Sequence, residues 1–125
     1  MKTIVAGCGD FRDYDLLKKR MDEFRKDHEV TQIVSGGASG VDYYGEKYAQ
    51  ENDIPIQYFP ADWIKHGKAA GPIRNREMAE YGDQLFVVWD GKSKGTKNMI
   101  DEMNKRKKPV FMVWIGGPIE AQNAN

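Results

Sequence analysis

Two turns rich in small residues carry the most visible chemistry of this chain, Ser35-Gly36-Gly37-Ala38-Ser39-Gly40 and Asp90-Gly91-Lys92-Ser93-Lys94-Gly95-Thr96. Each follows an apolar run and opens a helical pattern. A strand that ends in small residues before a helix leaves the first backbone N–H groups of that helix unpaired and directed outward, where an anion accepts them. Two such turns point to a phosphate-bearing ligand, a nucleotide above all. For Gly36, Gly37 and Gly40 a ligand explains more than a plain turn does, since a turn alone does not need three small residues at a helix start. Cations gather nearby: Lys65, Lys68, Arg74 and Arg76 lie in a stretch without an acid, and Lys92, Lys94 and Lys97 lie in or beside the second turn. Arg74 and Arg76 sit near a helix start, where a guanidinium grips phosphate or carboxylate with two prongs but opposes the helix dipole. Spaced by two, they do not share a face, and Arg74 is the preferred ligand contact.

The elements that must hold these residues alternate regularly. Thr3 to Ala6 is an apolar run stopped by Gly7-Cys8-Gly9, after which Asp13 can cap a helix carrying Leu17, Met21 and Phe24 on one face. Thr31 to Val34 is a second β-branched run, and Ala38 to Asn52 sets Val41, Tyr44, Tyr48 and Ala49 at helical spacing. Ile54 to Phe59 reads as a third strand with Pro55 at its start, ended by Pro60-Ala61-Asp62-Trp63. A long loop follows, up to Gly71-Pro72, where proline opens a helix that Gly82 ends. Gln84 to Trp89 is a fourth strand, Thr96 to Lys107 a helix with Met99, Ile100 and Met103 inward, and Val110 to Ile115 a fifth strand. The pattern predicts an α/β fold, a Rossmann-like three-layer sandwich with a five-stranded parallel sheet, as a single domain over residues 1–117 followed by a tail over 118–125. In such sheets ligands bind beyond the carboxyl ends of the strands, near the point where strand order reverses. Gly7, Gly36, Gly37 and Gly91 all fall there.

Composition narrows the class further. At 125 residues the chain matches one ordinary domain. Lys and Arg number 19, as do Asp and Glu, so net charge offers no general attraction to nucleic acid or acidic lipid. A single cysteine excludes an internal disulfide, and no Cys and His cluster has metal-ligand spacing; a reducing, cytoplasmic setting with neither metal nor cofactor is expected. Val5-Ala6-Gly7-Cys8 resembles a lipoprotein cleavage box, but the apolar stretch before it is too short for a signal-peptide core. No later run approaches the ~20 residues of a membrane span.

Familiar uses of this architecture fail on particular residues. A dinucleotide fingerprint needs an acid at the end of the second strand, which here ends in Ser35-Gly36. A Walker loop needs an upstream glycine that Gly91-Lys92-Ser93 lacks. Asp10 and Asp62 hint at a phosphorelay receiver, to which the glycine turns do not belong.

Four ordered motifs carry a resemblance over nearly the whole chain: Ser35 to Asp42, Pro60-Ala61-Asp62-Trp63, Ala69 to Met78 and Trp89 to Ile100. Together they resemble the YspA (YpsA-related) branch of the SLOG superfamily. That superfamily has a Rossmann-like fold and includes nucleotide-ligand sensors, the LOG phosphoribohydrolases that release a base from a nucleoside monophosphate, and the single-strand DNA-binding protein DprA. The resemblance implies a nucleotide-derived small molecule as partner. It leaves two activities open, binding alone or LOG-like hydrolysis.

Matched residue by residue, the LOG signature around its catalytic arginine resembles Ile73 to Met78, which puts Arg74 in the catalytic slot. The Pro-Gly-Gly-x-Gly-Thr-x-x-Glu signature resembles Asp90 to Met99, with Gly95-Thr96 matched, but its glutamate falls on Met99, which cannot ionise. Cleaving an N-glycosidic bond needs a carboxylate to stabilise the cation or activate water. Asp42, Asp62 and Asp90 lie near the predicted ligand edge, although each has a structural alternative: Asp42 at a helix start, Asp62 in a turn, Asp90 bonding its own loop. The branch usually reads Gly-Ser-Arg-Asp-Phe in the first turn, where this chain has Gly7-Cys8-Gly9-Asp10-Phe11. Arg12, one turn along, could reach the same phosphate.

The nominated ligand-binding residues are therefore Gly7, Cys8, Asp10, Ser35, Gly36, Gly37, Ala38, Ser39, Asp42, Arg74, Asn75, Asp90, Gly91, Ser93, Gly95 and Thr96. Thr96 serves equally as a helix cap. Trp63 could stack on a base or seal the sheet edge, His66 could assist proton transfer, and Cys8 could be activated by its turn. Neutral charge and the lack of an exposed aromatic series argue against a DprA-like nucleic-acid binder. Relatives often pair through helical faces, which would make Tyr43, Tyr44 or Met103 a homodimer contact.

Overall fold

A computed structural model describes residues 1–117; the expected tail, 118–125, lies outside the described residues. Five parallel strands form one sheet in the order β3-β2-β1-β4-β5, with β1 Lys2–Gly7, β2 Gln32–Ser35, β3 Ile56–Tyr58, β4 Gln84–Trp89 and β5 Val110–Trp114. The chain builds outward from β1 to β3, then returns to the other side of β1 for β4. Strand order therefore reverses between β1 and β4, whose carboxyl ends are in register with Gly7 opposite Val88.

Alternate side chains along each strand feed two separate layers, as the pleat requires. Val5, Ile33, Phe86, Val88 and Val113 pack against α1 (Tyr14–Asp27) and α2 (Val41–Glu51) through Leu17, Met21, Phe24, Val41, Tyr48 and Ala49. Ile4, Ala6, Val34, Leu85 and Val87 pack on the other face against α4 (Ala70–Tyr81) and α5 (Lys94–Lys105), through Met78, Ala79, Met99, Ile100 and Met103. The result is the expected α/β three-layer arrangement. Asp13 caps α1, its carboxylate accepting from the Leu16 amide at 3.1 Å.

Several boundaries differ from the expectation, each for a local reason. β3 is only three residues long, and its neighbours extend the pairing without joining the strand: Ile33 donates to the Pro55 carbonyl at 2.9 Å and Phe59 to that of Ser35 at 2.8 Å. The long loop contains α3 (Trp63–His66) and a 3₁₀ turn, Gly67–Ala69, that runs directly into α4, so Pro72 lies inside the first turn of α4 rather than opening it. α5 begins at Lys94 because Ser93, not Thr96, is its cap. Met103 is fully buried in the core, which removes it as a dimer contact, while Tyr44 packs on Phe11 and Tyr14 and Tyr43 stays exposed.

Candidate functional site

The first glycine turn is closed on itself. Gly40, at φ +74°, lies where a Cβ would come within 2.2 Å of the Cys8 carbonyl oxygen, so only glycine fits. From there Val41 donates to Cys8 O at 3.2 Å and the Ser39 hydroxyl to Gly9 O at 3.0 Å, tying this turn to the one after β1. Two of the amides expected to cradle phosphate are already engaged. Gly37 N donates to Ser35 Oγ at 3.1 Å, and Ala38 N donates to Asp42 Oδ2 at 3.2 Å. Ser35 in turn donates to Glu46 at 2.6 Å. A carboxylate has taken the place sequence reasoning assigned to an anionic ligand.

The second turn is built differently. Asp90 Oδ1 accepts from the amides of Lys92 at 2.8 Å and Ser93 at 2.9 Å, which holds its carboxyl below the usual carboxylate range. Ser93 Oγ accepts from Thr96 N at 3.4 Å and shares a hydrogen bond with the Thr96 hydroxyl at 2.9 Å. The amides of Lys94 and Gly95, inside the first turn, have no acceptor among the described residues. No acid lies in that first turn.

Arg74 and Asn75 join the two turns. Arg74 Nη1 donates to Gly36 O at 2.6 Å and its Nε to Asn75 Oδ1 at 3.2 Å, while Asn75 Nδ2 donates to Gly95 O at 3.2 Å and Asn98 Oδ1 at 2.9 Å. A Cβ on Gly36 would meet Nη1 at 2.4 Å, so a side chain there would push the Arg74 guanidinium from this position.

A cleft of about 390 Å³ opens between these parts, at the carboxyl end of β1 beside β4. Of the nominated residues it is lined by Gly7, Ala38, Asp42, Arg74, Asn75, Ser93, Gly95 and Thr96. Cys8, Asp10, Ser35, Gly36, Gly37, Ser39, Asp90 and Gly91 are not in its wall; they shape the turns behind it. Ser39 and Gly37 instead border a shallower depression with Arg12, Tyr43 and Tyr44. Arg12 donates to the Gly9 and Phe11 carbonyls, at 3.1 and 2.7 Å, and lies outside the cleft wall. Arg76, His66, Lys65 and Lys68 are likewise absent from it, and Asp62 caps α3 by accepting from Lys65 N at 3.0 Å. Ala6, Gly9, Gly71, Pro72, Met78, Lys94 and Asn98 complete the wall together with Trp63 and Met99. Lys94 and Trp63 stood out in the sequence by charge and aromatic area; the other additions are mostly apolar or small, so no chemical type marked them.

Two ionisable groups near the cleft are displaced by burial. Asp42 is 5% exposed, and burial pushes its carboxyl up to about 6 despite the Ala38 amide and the Arg74 guanidinium pulling it down. The Cys8 thiol, which sequence reasoning held open to activation, is pushed up to about 11 by burial and faces the Val88 carbonyl at 3.5 Å. Cys8, Asp10 and Asp90 bring one ligand atom each within 4.8 Å of one another. With that thiol protonated at neutral pH and Asp90 already accepting two amides, the group is a poor cation donor set.

The model of the YspA, cpYpsA-related SLOG family matches residues 1–66, which include β1, the first glycine turn and Asp42. The chain belongs to that family. This SLOG protein is also similar to the gene 61 protein of Mycobacterium phage D29, 34% identical over 117 residues, covering 88% of this chain and 94% of that protein. No solved structure matches it. SLOG membership supports a role in binding or processing a nucleotide-related ligand in general. Among the described residues no helix is long and apolar enough to cross a membrane.

Proposed function

We propose that this SLOG domain binds a nucleotide or nucleotide-derived small molecule in the cleft, with its phosphate at the start of α5 and Arg74 beside it. One observation carries the reading: the starts of α4 and α5, neither with an acid in its first turn, both contribute to the wall of one cleft, where two amides of α5 lack a protein acceptor. Helix starts so arranged favour an anion. Arg74 commits Nη1 and Nε to the protein, which leaves Nη2 for a ligand oxygen. A volume of about 390 Å³ lies at the small end of ligand sites and favours a mononucleotide over a dinucleotide.

Calorimetric titration with nucleoside 5′-monophosphates tests this. Wild-type protein binds at least one of them; Arg74→Ala weakens it roughly 10- to 100-fold, and Arg74→Lys, which keeps the charge but not the fork, recovers only part. Absence of binding by the wild type at millimolar nucleotide overturns the reading.

Asp42 favours a second reading, phosphoribohydrolase activity. Met99 lines the cleft at 1% exposure and cannot supply a carboxylate, but Asp42 lines it too, with its carboxyl raised to about 6. A group titrating there can hand a proton to a departing base or accept one from water. Release of free base over many turnovers, abolished by Asp42→Asn, establishes this reading; nucleotide recovered intact after prolonged incubation excludes it.

A further inference from the structure

The cleft is more apolar than an anion alone requires, because Ala6, Trp63, Pro72, Met78 and Met99 all contribute to its wall. Met78 and Met99 are core residues that reach the cleft from a buried position. Trp63 is not. It is 59% exposed and belongs to neither core cluster, so sealing the sheet edge does not account for it. Leaving the largest apolar side chain more than half in water forgoes stabilisation that burial would give.

Its position is nevertheless held. Asp62 caps α3 and sets the backbone entry to Trp63, and Gly67 at the other end donates to the Trp63 carbonyl. The outer edge of the six-membered ring lies against the first turn of α4, where a Cβ on Gly71 would be 3.5 Å from it. The adjacent Ile64 is fully exposed and takes no part in the cleft. Of two neighbouring exposed apolar residues, one borders the cleft and one does not.

Building on the nucleotide reading of the cleft, we infer that Trp63 is the platform on which the ligand's heterocyclic base stacks, with the Met78 and Met99 thioethers beside it and the phosphate at the start of α5. An indole face is complementary to any flat heteroaromatic ring, and thioether sulfur packs well against ring edges. Stacking reads ring area rather than hydrogen-bonding pattern, so the site takes purine nucleotides in preference to pyrimidine ones and separates adenine from guanine weakly. Trp63 thus selects the ligand class, while α5 and Arg74 hold the charge.

Tryptophan emission and calorimetry together test this with adenosine, guanosine, cytidine and uridine 5′-monophosphates, and with ribose 5-phosphate as the probe that lacks a base. Trp89 and Trp114 lie edge to face at 5.9 Å outside the wall itself, but Trp89 donates to the carbonyl of the wall residue Ser93 at 3.2 Å, so loss of the emission change in Trp63→Phe is what assigns it to Trp63. Adenosine monophosphate quenches wild-type emission and ribose 5-phosphate does not. Trp63→Ala weakens adenosine monophosphate about 5- to 100-fold, Trp63→Phe retains most of the affinity, and Ile64→Ala matches the wild type. Ribose 5-phosphate binds wild type and Trp63→Ala alike. Nucleotide affinity unchanged by Trp63→Ala overturns the stacking platform and leaves the nucleotide reading standing. Pyrimidine nucleotides binding as tightly as purines overturns the class preference, and a wild type that binds no nucleotide overturns both inferences together.

Discussion

The turn between β2 and α2 directs the amides of Gly37 and Ala38 at its own side chains, Ser35 and Asp42, whereas the turn between β4 and α5 keeps those of Lys94 and Gly95 open. The two are spelled alike, with glycines after a strand and before a helix. Their difference is the place of the acid. Asp42 lies inside the first turn of α2 and reaches back over its loop; Asp90 lies before the loop and accepts only its leading amides, those of Lys92 and Ser93. One turn therefore brings negative charge to the cleft and the other brings uncompensated N–H groups. The first turn disfavours an added anion, and the second is where the proposed phosphate would sit.

The sharpest way to break this contrast is to add the same methyl group to each turn. Gly40→Ala forces a Cβ to 2.2 Å from a backbone oxygen at a residue with φ +74°. Neither strain can relax cheaply, because the obstacle is main chain at the end of the central strand. We expect a loss of about 3 kcal/mol or more, read as a shift of the urea midpoint without a change in slope. A wild-type midpoint would mean that the first turn is not locked against the Cys8 carbonyl.

Asp42 provides the next largest effect. Its folded pKa of about 6 exceeds the ordinary value of 3.8, so the folded protein holds the proton more tightly than the unfolded chain does. The contribution of Asp42 to stability is then greatest below about pH 4 and falls as pH rises from 4 to 6, opposite in sign to those of Asp90 and Glu102, whose carboxyls are held low. Asp42→Asn removes that decline and raises stability at pH 8 by up to about 3 kcal/mol, while both proteins converge below pH 4. Thermal melts across this range are sufficient. An Asp42→Asn protein less stable than wild type at pH 8 would show that the anion supports the turn, and the two loops would differ less in charge than proposed.

The fold was legible because the chain alternates apolar strands with one-sided helices, and Leu17, Met21 and Phe24, or Met99, Ile100 and Met103, fall where periodicity puts them. The strand order was not legible: β1 and β4 are both apolar runs buried along their length, and only the structure sets β1 at the centre. The site was legible only in part. Arg74, Asn75 and Asp42 carry chemistry in their side chains and stand out, and all three line the cleft. Which amides stay open depends on where a carboxylate three or four residues away points, and that is a tertiary fact. Ser39 and Gly37 share a motif with Ala38 yet face another depression, because the positive φ of Gly37 and Gly40 turns the loop over. Pro72 and Met78 enter the wall only because the supposed loop before α4 is helical and brings Trp63 beside it.

The smallest expected effect completes the comparison in the second turn. A Cβ on Gly95 meets nothing within 4 Å, and the residue lies in the first turn of α5 without a positive φ. Alanine favours the helix there, so Gly95→Ala stabilises the fold by about 0.5–1 kcal/mol, the opposite sign from the same change at Gly40. The open space around that methyl belongs to the cleft, where the proposed phosphate would approach the Gly95 amide. Gly95→Ala should thus gain stability and lose nucleotide affinity in one variant, measured by denaturant titration and calorimetry on the same sample. Gain without loss would move the phosphate away from α5; loss of both would mean that the space is filled by the protein itself.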